Sequence, residues 1–202
     1  RVLHYLEHAY RFPFLGTVGQ LFIAEARMRG IKVGNEVAFF GRPILQIYPG
    51  STVTIGHHAV LVSNSRRCST ANLYSPCRLQ TDNVTSRIHI GSGAGLNGAS
   101  IWCRSTSVTL GVNVALGPNV TIMDSPAHRV WPPESRNYYP GVELDKSVSI
   151  GDQVWVGNGS LILAGANIGS NSVIAARSVV TGDIPSNSLA GGIPARVLRS
   201  LG

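Results

Sequence analysis

His128 is the residue of this chain whose type and position best suit proton-transfer chemistry. It lies in the stretch MDSPAHRVWPPESRNYYPGVELDKS, residues 123–147, which is rich in proline and has no aliphatic periodicity. An imidazole has an ordinary pKa of about 6.5, so at neutral pH it can accept a proton from a hydroxyl and release it later. Because loops on a rigid scaffold often carry functional residues, this position favours a catalytic histidine over a surface histidine without a role.

The scaffold that must position this loop is indicated by an aliphatic residue at every sixth position. A small or β-branched residue lies two positions before each of these anchors, and glycine or alanine follows several of them. The period differs from the helical period of about 3.6 residues and from the strand period of about two. It predicts a parallel β-helix in which six residues form one face of a triangular coil and the anchor points to the axis. The clearest anchors are Ile150, Val156, Ile162, Ile168, Ile174 and Val180.

Weaker hexads upstream predict further coils. The spacing slips between Leu45 and Ile55, so YPGS is predicted to form a bulge or a corner. The basic stretch RRCSTANLYSPCRLQTDNVTSR, residues 66–87, is either a loop or a poorly patterned coil. The upstream anchors are Val33, Phe39, Leu45, Ile55, Leu61, Ile90, Leu96, Trp102, Leu110, Leu116 and Ile122.

The run IGDQVWVGNGSLILAGANIGSNSVIAARSVVTGDIPSNSLAGGIPARVLRSL resembles the C-terminal half of the hexapeptide-repeat acyltransferases. The resemblance is greatest to the maltose, galactoside and polysaccharide O-acetyltransferase branch. It implies a left-handed parallel β-helix, a homotrimer with active sites between subunits, and acetyl-CoA as co-substrate. The predicted organisation is a mainly β chain with a helical N-terminal cap over residues 1–31 and a left-handed β-helix acyltransferase domain over residues 32–202. An excursion loop over residues 123–147 interrupts that domain.

The resemblance also implies roles for residues near His128. It makes His128 the general base, although Arg129 stands where the family motif has proline. Glu143 occupies the place of a carboxylate that orients the histidine, and it is preferred to Asp124 and Glu134. Asp124 either shapes the turn of the loop or contacts the acceptor.

An asparagine and a tryptophan complete the site that the resemblance implies around the acceptor. Asn97 matches an asparagine that hydrogen-bonds the acceptor hydroxyl or helps to hold the tetrahedral intermediate. An amide can both donate and accept, which suits that role, but asparagine is also an ordinary corner residue of a β-helix. Trp155 is expected to contact both the acceptor and the coenzyme.

In the family that this chain resembles, CoA lies in a groove between neighbouring prisms. The common family pattern is Ala-Gly-Ser, then Val-Val-Thr, then lysine. This chain has Arg177 in place of that glycine and Gly182 in place of that lysine. Arg177 either replaces that lysine as a phosphate contact, since a guanidinium offers two donors, or narrows the pocket. The matching coenzyme positions are Trp155, Gly157, Ser160, Ala175, Ala176, Arg177, Thr181, Pro194, Arg196 and Arg199.

These residues predict an acetyl-CoA-dependent O-acetyltransferase that acts directly on a hydroxyl of a sugar or of a cell-surface polysaccharide precursor. N-acetylation of an amino sugar needs the same base and stays open. A non-catalytic β-helix scaffold is the alternative from a different class, and the retained loop histidine and coenzyme positions disfavour it. A zinc site like that of the γ-class carbonic anhydrases is a further alternative, suggested by His57, His58 and His89. The His-x4-His spacing of that class is missing, so no metal is expected.

The charge and the cysteine content of the chain limit the classes of binding partner and the cellular compartment. The net charge of +7 and the pI of about 9.8 favour an anionic partner, and no RNA-binding or zinc-finger pattern supports a nucleic acid. Three cysteines and no visible signal peptide indicate a reducing cytoplasm. The N-terminal helices are predicted either to cover the open end of the prism or to contact the inner face of the cell membrane, and no apolar run is long enough to span it. The aromatic residues behind the membrane alternative are Tyr5, Tyr10, Phe12 and Phe14.

Overall fold

The computed structural model describes residues 13–137 and 141–202. Helix α1 occupies Pro13–Met28, and short 3-10 helices lie at Ser65–Arg67, Pro133–Arg136 and Val142–Leu144. The strands in chain order are β1 Lys32–Val33, β2 Ala38–Phe40, β3 Ile44–Gln46, β4 Thr52–Ile55, β5 Val60–Val62, β6 Arg78–Thr81, β7 Arg87–Ile90, β8 Gly95–Asn97, β9 Ser100–Cys103, β10 Ser107–Leu110, β11 Ala115–Leu116, β12 Thr121–Met123, β13 Val148–Ile150, β14 Trp155–Val156, β15 Leu161–Ile162, β16 Asn167–Ile168, β17 Val173–Ile174, β18 Val179–Val180, β19 Asp183–Ile184, β20 Ser188–Gly192 and β21 Ala195–Ser200.

The strands form three sheets around one core, with parallel pairing between successive coils. Sheet A contains β1, β4, β7, β10, β13, β16 and β19; sheet B contains β2, β5, β8, β11, β14, β17 and β20; sheet C contains β3, β6, β9, β12, β15 and β18. The chain therefore visits sheets A, B and C in turn, and three strands make one coil. Strand β21 pairs antiparallel with β20 at the end of sheet B.

The register of the sheets explains the period of six. Leu110 pairs with Ile150, and Ile150 pairs with Ile168, so each anchor stacks on the anchor of the next coil. These three side chains are at most 1% exposed. Truncating such a buried aliphatic side chain to alanine costs about 2–5 kcal/mol, so the stacked anchors are the main source of stability that the hexads encode.

Residues in the left-handed conformation form the corners between sheets A and B. Asn113, Gln153, Asn171 and Asn187 have φ values between 55° and 61°. Each donates its backbone N–H to the preceding coil; Asn171 N, for example, lies 2.8 Å from Asp152 O. Asparagine tolerates this conformation better than most residues that carry a Cβ, which explains its recurrence at this corner.

Trp102 is not the buried anchor that the hexads predict. Ile101 is 0% exposed, whereas Trp102 faces outward and donates Nε1 to Asp82 Oδ2 at 2.6 Å. The turn at Gly98, with φ of 53°, makes the step from Leu96 to the next anchor one residue shorter than a hexad.

The basic stretch divides into a loop and a coil. Residues 63–77, here called the basic loop, leave the prism between sheets B and C, and the chain returns as β6. Tyr74 N donates to Asn119 Oδ1 at 2.8 Å, and Asn119 Nδ2 donates to Asn72 O at 3.0 Å. Each of the two predicted alternatives therefore applies to one part of the stretch.

Helix α1 packs against the first coil. Ile23 and Ala26 are 4% and 0% exposed in the core. A Cβ at Gly19 would lie 2.8 Å from Phe39 O, so the helix backbone approaches β2 closely. These contacts favour the interpretation that the N-terminal part covers the open end of the prism, while the division into cap and domain stays a prediction.

The predicted membrane contact involves residues near the N-terminal side of helix α1. The helix predicted before Pro13 lies outside the described residues, as do Tyr5, Tyr10 and Phe12. Within residues 13–137 and 141–202, no helix combines the length and apolarity that a membrane crossing needs.

Candidate active site

The chain leaves the prism after β12 at Asp124, and this side chain fixes the exit point. Asp124 is 0% exposed. Its Oδ1 accepts from Arg104 N at 2.7 Å, and its Oδ2 accepts from the N and the Oγ1 of Thr106, each at 2.9 Å. A carboxylate enclosed in this way has no surface for a substrate. The structure therefore contradicts the predicted acceptor contact of Asp124 and agrees with its alternative role in shaping the turn.

A buried ion pair joins the corner before β10 to the end of the excursion loop. Arg104 Nε donates to Asp145 Oδ2 at 2.9 Å, and Ser105 Oγ donates to the same oxygen at 2.6 Å. The side chains of Arg104 and Asp145 are 11% and 0% exposed. Burial acts to raise the pKa of Asp145, but hydrogen bonds from Arg104, Ser105 and Ser125 outweigh it and lower that pKa.

Arg104 also contacts both limbs of the excursion loop. Its Nη1 donates to Ala127 O at 2.8 Å, and its Nη2 donates to Gly141 O at 2.8 Å. Sequence reasoning missed Arg104 and Asp145, which lie far apart in the chain and form no motif. A usable signal was the aspartate at each end of the loop, Asp124 and Asp145, because loop ends must be bonded to the scaffold.

His128 is exposed and follows a strained turn. Ala127 has a φ of 69°, and His128 N donates to Pro126 O at 2.9 Å, which closes a γ-turn with a positive φ at its centre. This type of γ-turn is rare and strained, because a residue with a Cβ seldom adopts a positive φ. Ala127 N donates to Ser125 Oγ at 2.9 Å. The direction of His128 therefore depends on the contacts that hold Ala127.

Glu143 contacts the neighbour of His128. Arg129 Nε donates to Glu143 Oε1 at 2.6 Å, and among the described residues no hydrogen bond joins the side chains of His128 and Glu143. Bonds from its own backbone amide and from Arg129 lower the pKa of Glu143. Its predicted role in orienting His128 stays a prediction. Glu134 lies exposed on the 3-10 helix Pro133–Arg136.

Within one chain, the structure does not bring Asn97 and Trp155 to His128. Asn97 lies at the corner between sheets B and C, where its Nδ2 donates to Leu116 O at 3.1 Å. Trp155 is 57% exposed on the outer face of sheet B. The loop of His128 leaves from the corner between sheets C and A, so a site that contains all three residues needs more than one chain.

The predicted coenzyme positions divide into buried and exposed groups. Ser160 is 0% exposed, and its Oγ donates to Ala175 O at 3.1 Å. Gly157 is buried where a Cβ would lie 2.5 Å from Ala176 N, so this glycine serves the packing of coils. The structure therefore does not present Gly157 or Ser160 to a ligand. Ala175 is half-buried, and the exposed positions are Trp155, Ala176, Arg177, Thr181, Pro194, Arg196 and Arg199.

Arg177 occupies a left-handed corner position between sheets B and C. Its φ is 61°, which explains why the family pattern has glycine there. Its Nη2 lies 3.5 Å from the hydroxyl of Tyr74, which is 77% exposed on the basic loop. This contact brings the basic loop to the predicted coenzyme positions, a proximity that the sequence did not indicate.

The upstream histidines are each engaged locally. His89 Nδ1 lies 2.7 Å from Thr54 Oγ1, and His58 Nδ1 lies 3.0 Å from Glu36 Oε2. His57 Nδ1 accepts from Asn35 N at 3.1 Å. In the described part of the chain, no group of three or more His, Cys, Asp or Glu side chains could hold a metal ion.

Sequence comparisons match part of the chain to a hexapeptide-repeat family and about half of it to galactoside O-acetyltransferases. Residues 147–182 match the family model described as Bacterial transferase hexapeptide (six repeats). The chain is 40% identical over 114 residues to the galactoside O-acetyltransferase of Lactococcus lactis, which covers 56% of this chain and 53% of that protein. It is 40% identical over 116 residues to the galactoside O-acetyltransferase of Escherichia coli, covering 57% and 55%. The chain thus spans about half the length of these curated relatives.

Two solved structures share the fold. One is a hexapeptide-repeat-containing acetyltransferase from Vibrio cholerae complexed with acetyl coenzyme A, with a TM-score of 0.56 at 25% identity over 88% of this chain and 74% of that chain. The other is AntD, an N-acyltransferase from Bacillus cereus in complex with dTDP and 3-hydroxybutyryl-CoA, with a TM-score of 0.65 at 14% identity over 89% and 88%. The predicted left-handed parallel β-helix and the resemblance to hexapeptide-repeat acyltransferases are confirmed.

Proposed function

We propose that this chain, which carries the hexapeptide repeat of bacterial transferases, is an acetyl-CoA-dependent O-acetyltransferase. Its acceptor is a hydroxyl of a sugar or of a cell-surface polysaccharide precursor. The observation that carries the proposal is the exposed His128 on a loop whose two limbs are bonded to the prism through the buried Arg104. The 40% identity to galactoside O-acetyltransferases supports a sugar as the acceptor.

His128 acts as the general base. Its imidazole removes the proton of the attacking hydroxyl as the new C–O bond to the acetyl carbon forms. The C–S bond of the thioester then breaks, and the imidazolium returns that proton to the sulfur of CoA. Acetyl-CoA supplies the activated thioester carbonyl. General-base catalysis of this kind contributes about 10²–10⁴-fold to the rate. In this proposal Glu143 orients the imidazole and Asn97 contacts the acceptor hydroxyl.

The exposed coenzyme positions suit the charges of CoA. Arg196 and Arg199 are exposed on β21, and Arg177 is exposed at a corner of the prism. Guanidinium groups bind phosphate through paired N–H donors, so these arginines would hold the phosphates. Gly157 and Ser160 are left out of the proposed site because they are buried. Its remaining positions are Trp155, Ala175, Ala176, Thr181 and Pro194.

The proposal includes a homotrimer with active sites between subunits. The outward side chains of sheet B form an apolar column, whereas those of sheet A form a polar one. An apolar face that carries a 57% exposed tryptophan is typical of a surface that a partner covers. The sheet B column is Ala38, Val60, Gly95, Ala115, Trp155, Val173 and Leu189; the sheet A column is Lys32, Thr54, His89, Thr109, Ser149, Asn167 and Asp183. Light scattering should give three times the chain mass of 21.4 kDa, and a constant monomer mass would refute the trimer.

We further infer a cytoplasmic location. Cys68, Cys77 and Cys103 are all free thiols, which agrees with a reducing compartment. Contact of the N-terminal residues with the inner face of the membrane stays a prediction, which sedimentation with anionic lipid vesicles would test.

The decisive experiment measures thiol release from acetyl-CoA with panels of free sugars, nucleotide sugars, oligosaccharides and amino sugars. We expect release with one class of hydroxyl acceptor and a loss of about 10²–10⁴-fold in His128→Ala. His58→Ala is the matched control, because His58 is an exposed histidine paired with Glu36 far from the loop.

The other outcomes identify the alternatives. Release only with amino sugars would indicate N-acetylation. The absence of both CoA binding and release with every acceptor would support the non-catalytic scaffold. Equal losses in His128→Ala and His58→Ala would show that His128 is not the base.

A further inference from the structure

We propose that Arg104 is a positioning residue that holds His128 in the orientation needed for proton transfer. This role rests on the proposed function, since it serves the base of that reaction. Arg104 acts through the backbone of Ala127, whose carbonyl oxygen accepts from Arg104 Nη1 at 2.8 Å. Ala127 directly precedes His128, so the backbone conformation of Ala127 determines the direction in which the His128 side chain leaves the loop.

The turn at Ala127 needs an external contact. A residue with a Cβ prefers negative φ, and a return of Ala127 from 69° to that region would rotate the peptide that carries His128. The bonds from Ala127 N to Ser125 Oγ and from His128 N to Pro126 O lie within the turn itself. Ser125 reaches the prism through its hydrogen bond to Asp145, which pairs with Arg104, whereas Arg104 bonds the backbone of Ala127 directly to the prism.

Arg104 can serve as this connection because its own guanidinium is held on two sides. Nε donates to Asp145 Oδ2 at 2.9 Å, and Nη2 donates to Gly141 O at 2.8 Å. The guanidinium is a planar fork with fixed donor directions, so these two contacts determine where Nη1 points. A lysine keeps the charge but cannot reproduce three donors in that geometry.

A purely structural role of Arg104 would destabilise the chain without acting through Ala127. The two roles predict different effects of Ala127→Gly, because glycine adopts positive φ without a Cβ penalty. If Arg104 serves to hold Ala127, glycine at this position should restore activity to Arg104→Lys. If Arg104 only supports the fold, glycine should restore nothing.

The experiment compares wild type, Arg104→Lys, Ala127→Gly and the double variant in the thiol-release assay, with thermal unfolding of each. We expect Arg104→Lys to lower kcat about 10²-fold, the scale of a small misplacement of a catalytic group, with KM for acetyl-CoA within about threefold. The kcat of the double variant should be at least about tenfold higher than that of Arg104→Lys. Arg87→Lys is the control, since Arg87 is exposed on β7 and its Nη1 donates to Thr85 O.

A second measurement does not depend on turnover. Hydrogen exchange of the His128 amide, followed by NMR, reports the bond to Pro126 O. We expect exchange at least about tenfold faster in Arg104→Lys than in wild type, with protection regained in the double variant.

Each result decides between the roles. The proposal is overturned if Arg104→Lys keeps kcat within about threefold, or if Ala127→Gly restores neither kcat nor amide protection. If wild type transfers no acetyl group, the proposed function fails separately, and the exchange data alone decide whether Arg104 holds the turn.

Discussion

The two loops that leave the prism are attached to it in different ways. The excursion loop is bonded through buried charges, namely Asp124, Arg104 and Asp145. The basic loop is held without a buried ion pair among the described residues: Asn119 donates to Asn72 O and accepts from Tyr74 N at the surface, the Arg67 guanidinium lies 4.5 Å from the centre of the Phe40 ring, and the Cys77 thiol donates to Val62 O.

This difference follows from what each loop presents. A base must keep its orientation within a narrow range, and charge-assisted hydrogen bonds in a low-dielectric interior are stronger and more directional than exposed neutral ones. The basic loop carries no proposed base, so it has no such requirement. Changes that act on buried charged groups should therefore affect the attachment of the excursion loop more than that of the basic loop.

Thiol labelling should give the largest contrast. Cys103 adjoins the excursion-loop anchor, and its pKa is raised to about 12 by burial and by the nearby charge of Asp124. Cys68 lies half-buried on the basic loop. Since the thiolate is the reactive form, we expect Cys68 to react with a disulfide reagent at pH 8 at least about 10³-fold faster than Cys103, as measured by mass spectrometry of timed samples.

Chain unfolding in urea is the control, because it should make both thiols reactive. Similar rates in the folded protein would mean that the corner beneath Asp124 opens readily, and the two attachments would then not differ.

Asp145→Asn should destabilise the chain more than Asn119→Ala. The first change removes the carboxylate that pairs with the buried Arg104 and should cost about 3–5 kcal/mol, whereas the second removes exposed neutral bonds and leaves alanine at a φ of 61°, and should cost about 2 kcal/mol. Urea unfolding at pH 7 and equal protein concentration measures both. Equal costs would remove the proposed distinction between the loops.

The same carboxylate predicts a pH dependence. The pKa of Asp145 is lower in the folded chain than its ordinary value of about 3.9, so its contribution is complete above that value and is lost as pH falls through the lowered pKa. Wild type should therefore lose stability with acid more steeply than Asp145→Asn. Asn119→Ala should keep the wild-type slope, since an amide does not titrate in this range.

A mutant cycle on Glu143 and Arg129 should show the smallest effect. If Glu143 orients His128 as proposed, Glu143→Gln lowers kcat on the order of tenfold, the scale seen for groups that orient a reactive side chain, while Arg129→Gln changes it less than about threefold. Equal single losses with no further loss in the double variant would assign Glu143 to its ion pair with Arg129.

The sequence predicted the regular part of the fold because each hexad is local information. Each hexad repeats the aliphatic anchor, the small residue before it and the corner residue. A short stretch of sequence is therefore enough to predict which side chains are buried. The error at Trp102 shows the limit of this rule, since one shortened corner at Gly98 shifts the buried position to Ile101.

The candidate site was less predictable because its contacts are not local. His128 could be found from its place in the interruption, but Arg104 reaches Ala127, Gly141 and Asp145 across gaps that no spacing rule connects. Gly157 and Ser160 show the opposite failure. Their positions match the family pattern, yet the pattern cannot tell a residue that packs coils from one that faces a ligand.

The last hairpin has a consequence for polymerisation. A stack of parallel coils ends in strands with open N–H and C=O groups, which could template another copy of the chain. In sheet B, β21 turns back against β20, and Arg196 and Arg199 donate from Nη1 to Ala195 O and Ser200 O. Strand β21 thus occupies the edge of β20, and its positive charge and partly occupied carbonyls disfavour the addition of another strand to sheet B, while the lateral faces stay open for assembly.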